Sequence, residues 1–223
     1  MNIRGLLFDF DGLLVDTESP SRLVWEELYR EHGHELPHER WATNVGTLDE
    51  PFDPLDHLEE LLGRGLDRSM VDERRRAREL ELIDLEQLRP GVEAYLDEAE
   101  RRELKTGIVS SSSVEWIEPL LQRLERGHGW DAIVAADGDV LRAKPRPTLY
   151  LEALDMLGLA PDEAIAFEDS PNGVRAAKTA GIYCVAVPNP ITATLAFENA
   201  DLVLDSFADL PLPELLERVE RGA

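Results

Sequence analysis

The segment IRGLLFDFDGLLVDTE, residues 3–18, joins an apolar run to two closely spaced aspartates. Its first part, residues 3–8, is almost continuously apolar, which is typical of a strand buried on both faces of a parallel sheet. Asp9 and Asp11 follow at the carboxyl end of this strand, and Gly12 completes an Asp-Gly pair of the kind common in turns. Ligands of open parallel sheets bind beyond the carboxyl ends of the strands. The segment therefore predicts a strand and the edge at which a site would lie.

Five further apolar runs repeat this texture along the chain. They are residues 106–109, 132–135, 164–167, 182–187 and 202–204. Helical periodicity follows most of them, over residues 148–157, 172–180 and 212–219. Strands that alternate with helices form a parallel α/β sheet, so we predict a Rossmann-like core of three layers.

Residues 17–88 have a different texture, with helical periodicity and no convincing strand. Ser19-Pro20 has the pattern of an N-cap followed by proline in the first turn, and Asp53-Pro54 repeats it. A third helix is predicted over about residues 69–85. We therefore predict an all-helical domain, residues 17–88, inserted into a core of residues 1–16 and 89–223.

The charge balance argues against nucleic acid as a partner. The chain of 223 residues carries 23 Lys and Arg against 46 Asp and Glu, a formal net charge of −23. A polyanion requires cationic groups that displace its counterions. The one basic cluster, Arg74, Arg75, Arg76 and Arg78, is interspersed with acidic residues and is predicted to be a solvated helix face.

Composition also bears on the compartment. No stretch approaches the roughly 18 apolar residues of a membrane span, and the first residues lack the order of a signal peptide, so we expect a cytoplasmic protein that binds no membrane. The single Cys184 excludes an internal disulfide and lies in an apolar run, where we expect it to be buried. Lysine occurs only at positions 105, 144 and 178, and this acid-rich, lysine-poor balance leads to the hypothesis of a high-salt cytoplasm.

Polar side chains stand at the ends of three predicted strands. Asp9 and Asp11 follow the first strand, Ser110 follows the second, and Glu168-Asp169 follows the fourth. Four carboxylates at one edge of a sheet repel one another unless a cation lies among them. The strand ends therefore predict a cation at this edge.

Four motifs together resemble those of the haloacid dehalogenase-like hydrolases, in their β-phosphoglucomutase-like branch. They occur in the order expected for that family and span nearly the whole predicted core. They are DFDGLLVDTE at residues 9–18, Ser110 after an apolar strand, Lys144-Pro145 before a helix, and FEDSPNG at residues 167–173. The helical insertion after the first strand also resembles the cap domain of that branch.

The resemblance implies phosphoryl transfer through a phosphoryl group held covalently on an aspartate. Asp9 would be the nucleophile, since a carboxylate can attack phosphorus once a metal ion offsets the repulsion between two anions. Asp11 would protonate the leaving group and then take a proton from the attacking water.

The same resemblance implies a phosphate site and a magnesium site. Ser110, Ser111 and Lys144 would bind the phosphoryl group, and Lys144 stands out because the chain has only three lysines and otherwise uses arginine. Magnesium is a hard cation that prefers oxygen ligands. The implied ligands are Asp9, Asp11, Glu168 and Asp169.

A cap that opens and closes over the site requires two flexible connections to the core. We predict the hinge at the two junctions between the domains. The residues at these junctions are Asp16, Thr17, Leu88, Arg89 and Pro90.

The family contains phosphatases, phosphomutases and dehalogenases, and the sequence favours the first. Dehalogenation requires neither an acid such as Asp11 nor a metal ligand such as Asp169. A mutase requires a cation on the cap to hold a second phosphate, but the nearest cap loop, residues 45–50, reads VGTLDE and is acidic. A histidine that many relatives carry shortly after Asp16-Thr17 is also missing, because the chain reads Ser19-Pro20-Ser21 there.

We therefore expect a magnesium-dependent phosphatase that acts on small phosphate monoesters such as sugar phosphates. A β-phosphoglucomutase-type phosphomutase is the first alternative. A binding or regulatory module with the same fold and no turnover is the second. The expected partner is a small phosphorylated metabolite, and the expected state is a monomer or a small homo-oligomer.

Overall fold

The computed structural model describes residues 2–46, 48 and 51–221 of the chain. Within them, one sheet of six parallel strands has the order β3-β2-β1-β4-β5-β6. Its strands are β1 (Gly5–Phe8), β2 (Lys105–Ser110), β3 (Ala132–Ala135), β4 (Ala164–Glu168), β5 (Tyr183–Ala186) and β6 (Leu202–Val203). Each strand coincides with one of the six apolar runs of the sequence, so the predicted parallel sheet is confirmed.

The central strand β1 is fully buried along its length. It lies between β2 and β4, with Leu7 paired to Gly107 on one side and to Ala166 on the other. Both neighbours at this level are small, and a Cβ on Gly107 would lie only 2.9 Å from the Leu7 side chain. The apolar runs are therefore strands that are covered on both faces, as their composition predicts.

Helices cover both faces of the sheet. The helices of the core are α5 (Val92–Arg101), α6 (Val114–Arg123), α7 (Thr148–Leu157), α8 (Pro171–Thr179) and α9 (Leu212–Arg221), and those of the insertion are α1 (Glu18–Glu31), α2 (His38–Trp41), α3 (Pro54–Leu62) and α4 (Arg68–Ile83). Helices α5, α6 and α9 share one apolar cluster with the sheet, whereas α7 and α8 share another. This arrangement confirms the three-layer core. None of the described helices is long and apolar enough to cross a membrane.

The insertion between β1 and β2 is helical and has an apolar cluster of its own. Trp25, Tyr29, Trp41 and Phe52 are buried in this cluster. Ile191, from the loop after β5, also belongs to it, so the insertion packs against the core as well as against itself. The insertion therefore has an apolar core of its own, and its bounds at residues 17–88 stay a prediction.

The start of α1 differs from the prediction. The helix begins at Glu18, and Ser19-Pro20 lies inside its first turn rather than at the N-cap. The carboxylate of Asp16 accepts the backbone N–H of Ser19 at 2.9 Å and so provides the cap that the pattern assigned to Ser19. The second predicted start is confirmed, since the Asp53 side chain accepts the N–H groups of residues 55 and 56 at the start of α3.

Candidate active site

Three neighbouring strands place the predicted site residues at one edge of the sheet. Asp9 follows β1, Ser110 ends β2 and Glu168 ends β4. Because β1 lies between β2 and β4 and all three are parallel, their carboxyl ends point the same way. The backbone N–H of Asp9 donates to the carbonyl oxygen of Phe167 at 3.0 Å and extends the pairing by one residue. The strand order thus brings together residues that are far apart in the sequence.

Lys144 lies at the centre of this edge, in the loop between β3 and α7. Its side chain is fully buried, and its Nζ is 2.6 Å from Oδ1 of Asp9 and 2.7 Å from Oε1 of Glu168. Burial lowers the pKa of Lys144, but Asp9 and Glu168 outweigh this effect and hold that pKa above its ordinary value. The ammonium group is therefore charged and bridges two carboxylates.

Asp9, Glu168 and Asp169 form a buried acidic cluster. Each offers one carboxylate oxygen, and these oxygens lie within 4.8 Å of one another. Oε2 of Glu168 and Oδ1 of Asp169 are buried and have no hydrogen-bond partner among the residues that the structure describes. A buried charged oxygen without a partner is costly, and a divalent cation with oxygen ligands would satisfy both atoms. The donor set therefore fits the predicted magnesium ion.

Burial and mutual repulsion raise the pKa values of these carboxyls. The pKa of Glu168 rises to about 7, chiefly through burial, and Lys144 offsets this only in part. Burial, with the charges of Asp9 and Glu168, raises the pKa of Asp169 well above its ordinary value. Burial and nearby carboxylates also raise the pKa of Glu18 to about 8. A cation among them would reverse these shifts, because it favours the charged form of each group.

The second oxygen of Asp169 is held by a loop that the motifs did not identify. Asn189 Nδ2 donates to Oδ2 of Asp169 at 2.6 Å, and Thr192 Oγ1 donates to its backbone carbonyl at 2.6 Å. A Cβ at Gly12 would lie 2.2 Å from the same Oδ2, so only glycine fits there. Asn189 and Thr192 follow the predicted strand at residues 182–187. Their position just beyond a strand end is the sequence feature that could have identified them as site residues.

Glu168 is fixed in the same manner. Its Oε1 accepts the hydroxyl of Tyr150 at 2.5 Å as well as the ammonium of Lys144. A Cβ at Gly173 would lie 1.8 Å from Oε2, so the glycine of the FEDSPNG motif makes room for this side chain. Burial raises the pKa of Tyr150 well above its ordinary value and keeps the phenol as a neutral donor. Sequence reasoning missed Tyr150, which reads as an ordinary apolar position of α7.

Asp11 lies beside the cluster and is partly exposed. Its Oδ1 accepts the Trp116 indole N–H at 2.8 Å and the Thr17 hydroxyl at 2.9 Å. Its Oδ2 accepts the Ser112 hydroxyl at 2.6 Å. Trp116 was not predicted for the site, Ser112 was not selected for it, and Thr17 was predicted only for the hinge.

The serines after β2 have distinct contacts. Ser110 Oγ accepts the backbone N–H of Ser112 at 3.0 Å. Ser111 Oγ accepts the backbone N–H of Lys144 at 3.2 Å and donates to the carbonyl of Gly46, in the insertion, at 3.3 Å. Ser113 is the N-cap of α6. Ser110 and Ser111 therefore both lie at the predicted edge, and their role in phosphate binding stays a prediction.

A cavity of about 490 Å³ opens above these residues, between the core and the helical insertion. Its floor includes Asp9, Asp11 and the serines at positions 110–112. Its roof is formed by the helical insertion, where α1 and α4 contribute the charged residues and tryptophans lie in α1 and α2. These are Glu18, Trp25, Trp41, Arg68, Asp72, Arg75 and Glu79. The cavity is large enough for a small metabolite and holds both acidic and cationic side chains.

The two connections between the insertion and the core run side by side. Val15 forms an isolated antiparallel bridge with Leu88, and the N–H of Arg89 donates to the carbonyl of Leu14 at 2.9 Å. The Arg89 guanidinium also donates to the carbonyl of Gly12 at 2.7 Å and to two carbonyls after β5. Arg89 is thus anchored to the core, and the hinge at residues 16–17 and 88–90 stays a prediction.

Comparison with known proteins supports the resemblance seen in the motifs. A sequence model described as a haloacid dehalogenase-like hydrolase matches residues 3–181. YhcW of Bacillus subtilis (strain 168), which carries a provisional phosphatase name, is 43% identical over 217 residues that cover 97% of this chain and 98% of YhcW. The fructose-1-phosphate phosphatase YqaB of Escherichia coli (strain K12) is 32% identical over 82% of this chain and 95% of its own. A crystal structure of β-phosphoglucomutase from Clostridium difficile has a TM-score of 0.76 at 24% identity, covering 99% of this chain and 98% of that one, and so shares the fold.

Proposed function

Because the chain belongs to the haloacid dehalogenase-like hydrolases, we propose that it is a magnesium-dependent phosphatase of small phosphate monoesters, with sugar phosphates as the substrate class. The observation that carries the proposal is the buried Lys144, which bridges Asp9 and Glu168 beside two carboxylate oxygens that have no hydrogen-bond partner within the described part of the chain. This arrangement holds a carboxylate next to a cation at the floor of a cavity. The relative named fructose-1-phosphate phosphatase supports the substrate class.

Asp9 is the proposed nucleophile. One of its oxygens attacks phosphorus while the bond from phosphorus to the leaving-group oxygen breaks, which leaves the phosphoryl group on Asp9. Lys144 contacts Asp9 and would therefore lie next to a phosphoryl group held on that side chain. Its positive charge would stabilise the negative charge on the phosphoryl oxygens. Asp9, Glu168, Asp169 and the backbone of Asp11 would hold the magnesium ion, which supplies further positive charge.

Asp11 is the proposed general acid and base. It gives a proton to the leaving oxygen in the first step. In the second step it takes a proton from the water that attacks the phosphoryl group on Asp9, which releases inorganic phosphate and restores both side chains. Asp9 and Asp11 both line the cavity, which supports this proposal.

Phosphatase activity is favoured over mutase activity by the ion pairs of the cap. A mutase must bind a second phosphate with a cap cation. Arg68 and Arg75 line the cavity, but Arg68 is paired with two carboxylates and Arg75 lies 2.6 Å from Glu79. Residues 47, 49 and 50 of the acidic cap loop lie outside the described residues. The two cap arginines that line the cavity are therefore already paired with carboxylates, which favours a leaving group without a second phosphate.

The direct test is a phosphate-release assay over sugar and nucleotide monophosphates, in magnesium and in chelator. We expect magnesium-dependent release by the wild-type protein and none by Asp9→Asn, which should keep the fold intact. Interconversion of glucose 1-phosphate and glucose 6-phosphate without net release would support the mutase instead. Equal or absent turnover in both proteins would support the binding module.

A further inference from the structure

The carboxylate of Asp11 has two unequal oxygens. Oδ1 accepts two hydrogen bonds of ordinary length, from the Trp116 indole at 2.8 Å and the Thr17 hydroxyl at 2.9 Å. Oδ2 accepts one short bond, from Ser112 at 2.6 Å, and a long contact of 3.4 Å from Ser110. A carboxylate offers about four lone-pair sites, two on each oxygen. Both sites of Oδ1 are therefore occupied, whereas Oδ2 retains capacity.

Trp116 is placed for this bond by the start of α6. Ser113 caps the helix and accepts the backbone N–H of Trp116, which fixes the first turn directly after the serines that follow β2. The side chain then reaches the cavity wall. An indole N–H can only donate, so this contact is a directed bond to the carboxylate and cannot be reversed.

We propose that Trp116 is a positioning residue that, together with Thr17, occupies Oδ1 of Asp11 and leaves Oδ2 as the oxygen that exchanges protons with the leaving group and with water. This inference rests on the proposed function and deepens it. In the first step the proton on Oδ2 moves to the leaving oxygen as its bond to phosphorus breaks. In the second step Oδ2 takes a proton from water as the water oxygen bonds to phosphorus and the bond to Asp9 breaks.

A general acid matters most for basic leaving groups, because acidic ones depart without a proton. Loss of the indole bond should therefore harm basic leaving groups selectively. The test compares wild type and Trp116→Phe on a series of substituted phenyl phosphates, which have nearly one shape and differ in the pKa of the phenol. We expect the ratio of kcat/KM between the most acidic and the most basic phenol to widen by about tenfold in Trp116→Phe, because kcat/KM reports the first step, in which the phenol departs.

Thr17→Val should show the same signature, because it removes the other donor to Oδ1. It also keeps the test valid if Trp116→Phe folds poorly, which a thermal melt reveals. Trp130→Phe is the matched control, since the Trp130 indole donates to the carbonyl of Arg126 at 3.0 Å and lines no part of the cavity. This control should leave the ratio unchanged.

The outcomes separate the inference from the function. If the wild type turns over all esters but both variants change every ester equally, or not at all, the assignment of Oδ2 is wrong and the phosphatase stands. If the wild type shows no turnover of any ester that Asp9→Asn abolishes, the proposed function fails, and the inference fails with it.

Discussion

Lys144 is the residue on which the candidate site depends most directly. It is one of only three lysines in the chain, and its ammonium group is the cation that the described residues place between Asp9 and Glu168. Removing one partner of a buried ion pair leaves the other charges without compensation. The same side chain therefore supports both folding stability and the proposed chemistry.

We predict that Lys144→Met lowers the free energy of unfolding by about 3–5 kcal/mol and the turnover of phosphate esters by at least about a hundredfold. Denaturant melts and a phosphate-release assay measure the two effects. Lys178→Met is the matched control, because Lys178 forms a partly exposed pair with Asp201 at 2.6 Å and its loss should cost less than about 1 kcal/mol. Equal costs for the two variants would contradict the central place of Lys144.

The first turn of α1 brings Glu18 to the cavity. Burial, with the charges of Asp11 and Asp9, raises the pKa of Glu18 from 4.5 to about 8. The folded protein therefore binds a proton at this site more strongly than the unfolded chain does between these pH values. Stability is greater where the carboxyl is protonated and is lost as the pH rises through the folded pKa.

For the protein in chelator, we predict that the melting temperature falls as the pH rises from about 4.5 to about 8. Glu168 contributes in the same direction up to its pKa of about 7. Glu18→Gln should make the decline shallower, whereas Glu118→Gln, at an exposed position of α6, should leave the slope as it is. A melting temperature that rises with pH over this window would show that the charged form of Glu18 is favoured.

The elements show which parts of the site could be predicted from sequence. The ends of apolar strands gave Asp9, Ser110 and Glu168, because parallel strands bring their carboxyl ends to one edge. No single strand indicates its own place in the sheet. The motifs nevertheless predicted correctly that these strand ends lie close together. The start of α1 was misplaced by two residues, because the helix has Thr17 rather than Ser19 as its N-cap and the carboxylate of Asp16 accepts the N–H of Ser19.

The residues that hold the site residues in place were not predicted. Tyr150, Asn189 and Trp116 each contact a carboxylate that is distant in sequence, at 2.5, 2.6 and 2.8 Å respectively. In the sequence, each of these three residues occupies a position where packing or a turn is a sufficient reason for its residue type. Such side chains become recognisable only when the fold shows which polar atom lies opposite.

At the scale of the whole molecule, negative charge dominates. The formal net charge is −23, and the basic face of α4 does not offset it locally, since Arg74 pairs with Glu31 and Arg78 with Glu27 and Glu81. Repulsion among like charges destabilises a compact chain. Molar salt screens this repulsion, because it shortens the Debye length to about 3 Å. The hypothesis of a high-salt cytoplasm follows from this balance.

We predict that the melting temperature rises between low salt and molar sodium chloride. The cause would be screening of the net repulsion, which exceeds the loss from weakened surface ion pairs. A parallel melt in sucrose separates screening from the general effect of an excluded cosolute. If the melting temperature stays level or falls with added salt, the hypothesis is wrong.

The adjacency of Val15 and Leu88 has an evolutionary consequence. The chain leaves the core near Val15 and returns to it near Leu88, at neighbouring points. The intervening helical insertion can therefore change in length and shape without shifting any strand. A lineage can exchange the surface that meets the substrate while the reacting groups keep their places. We therefore expect proteins with this connectivity to differ in substrate while they keep the same reaction.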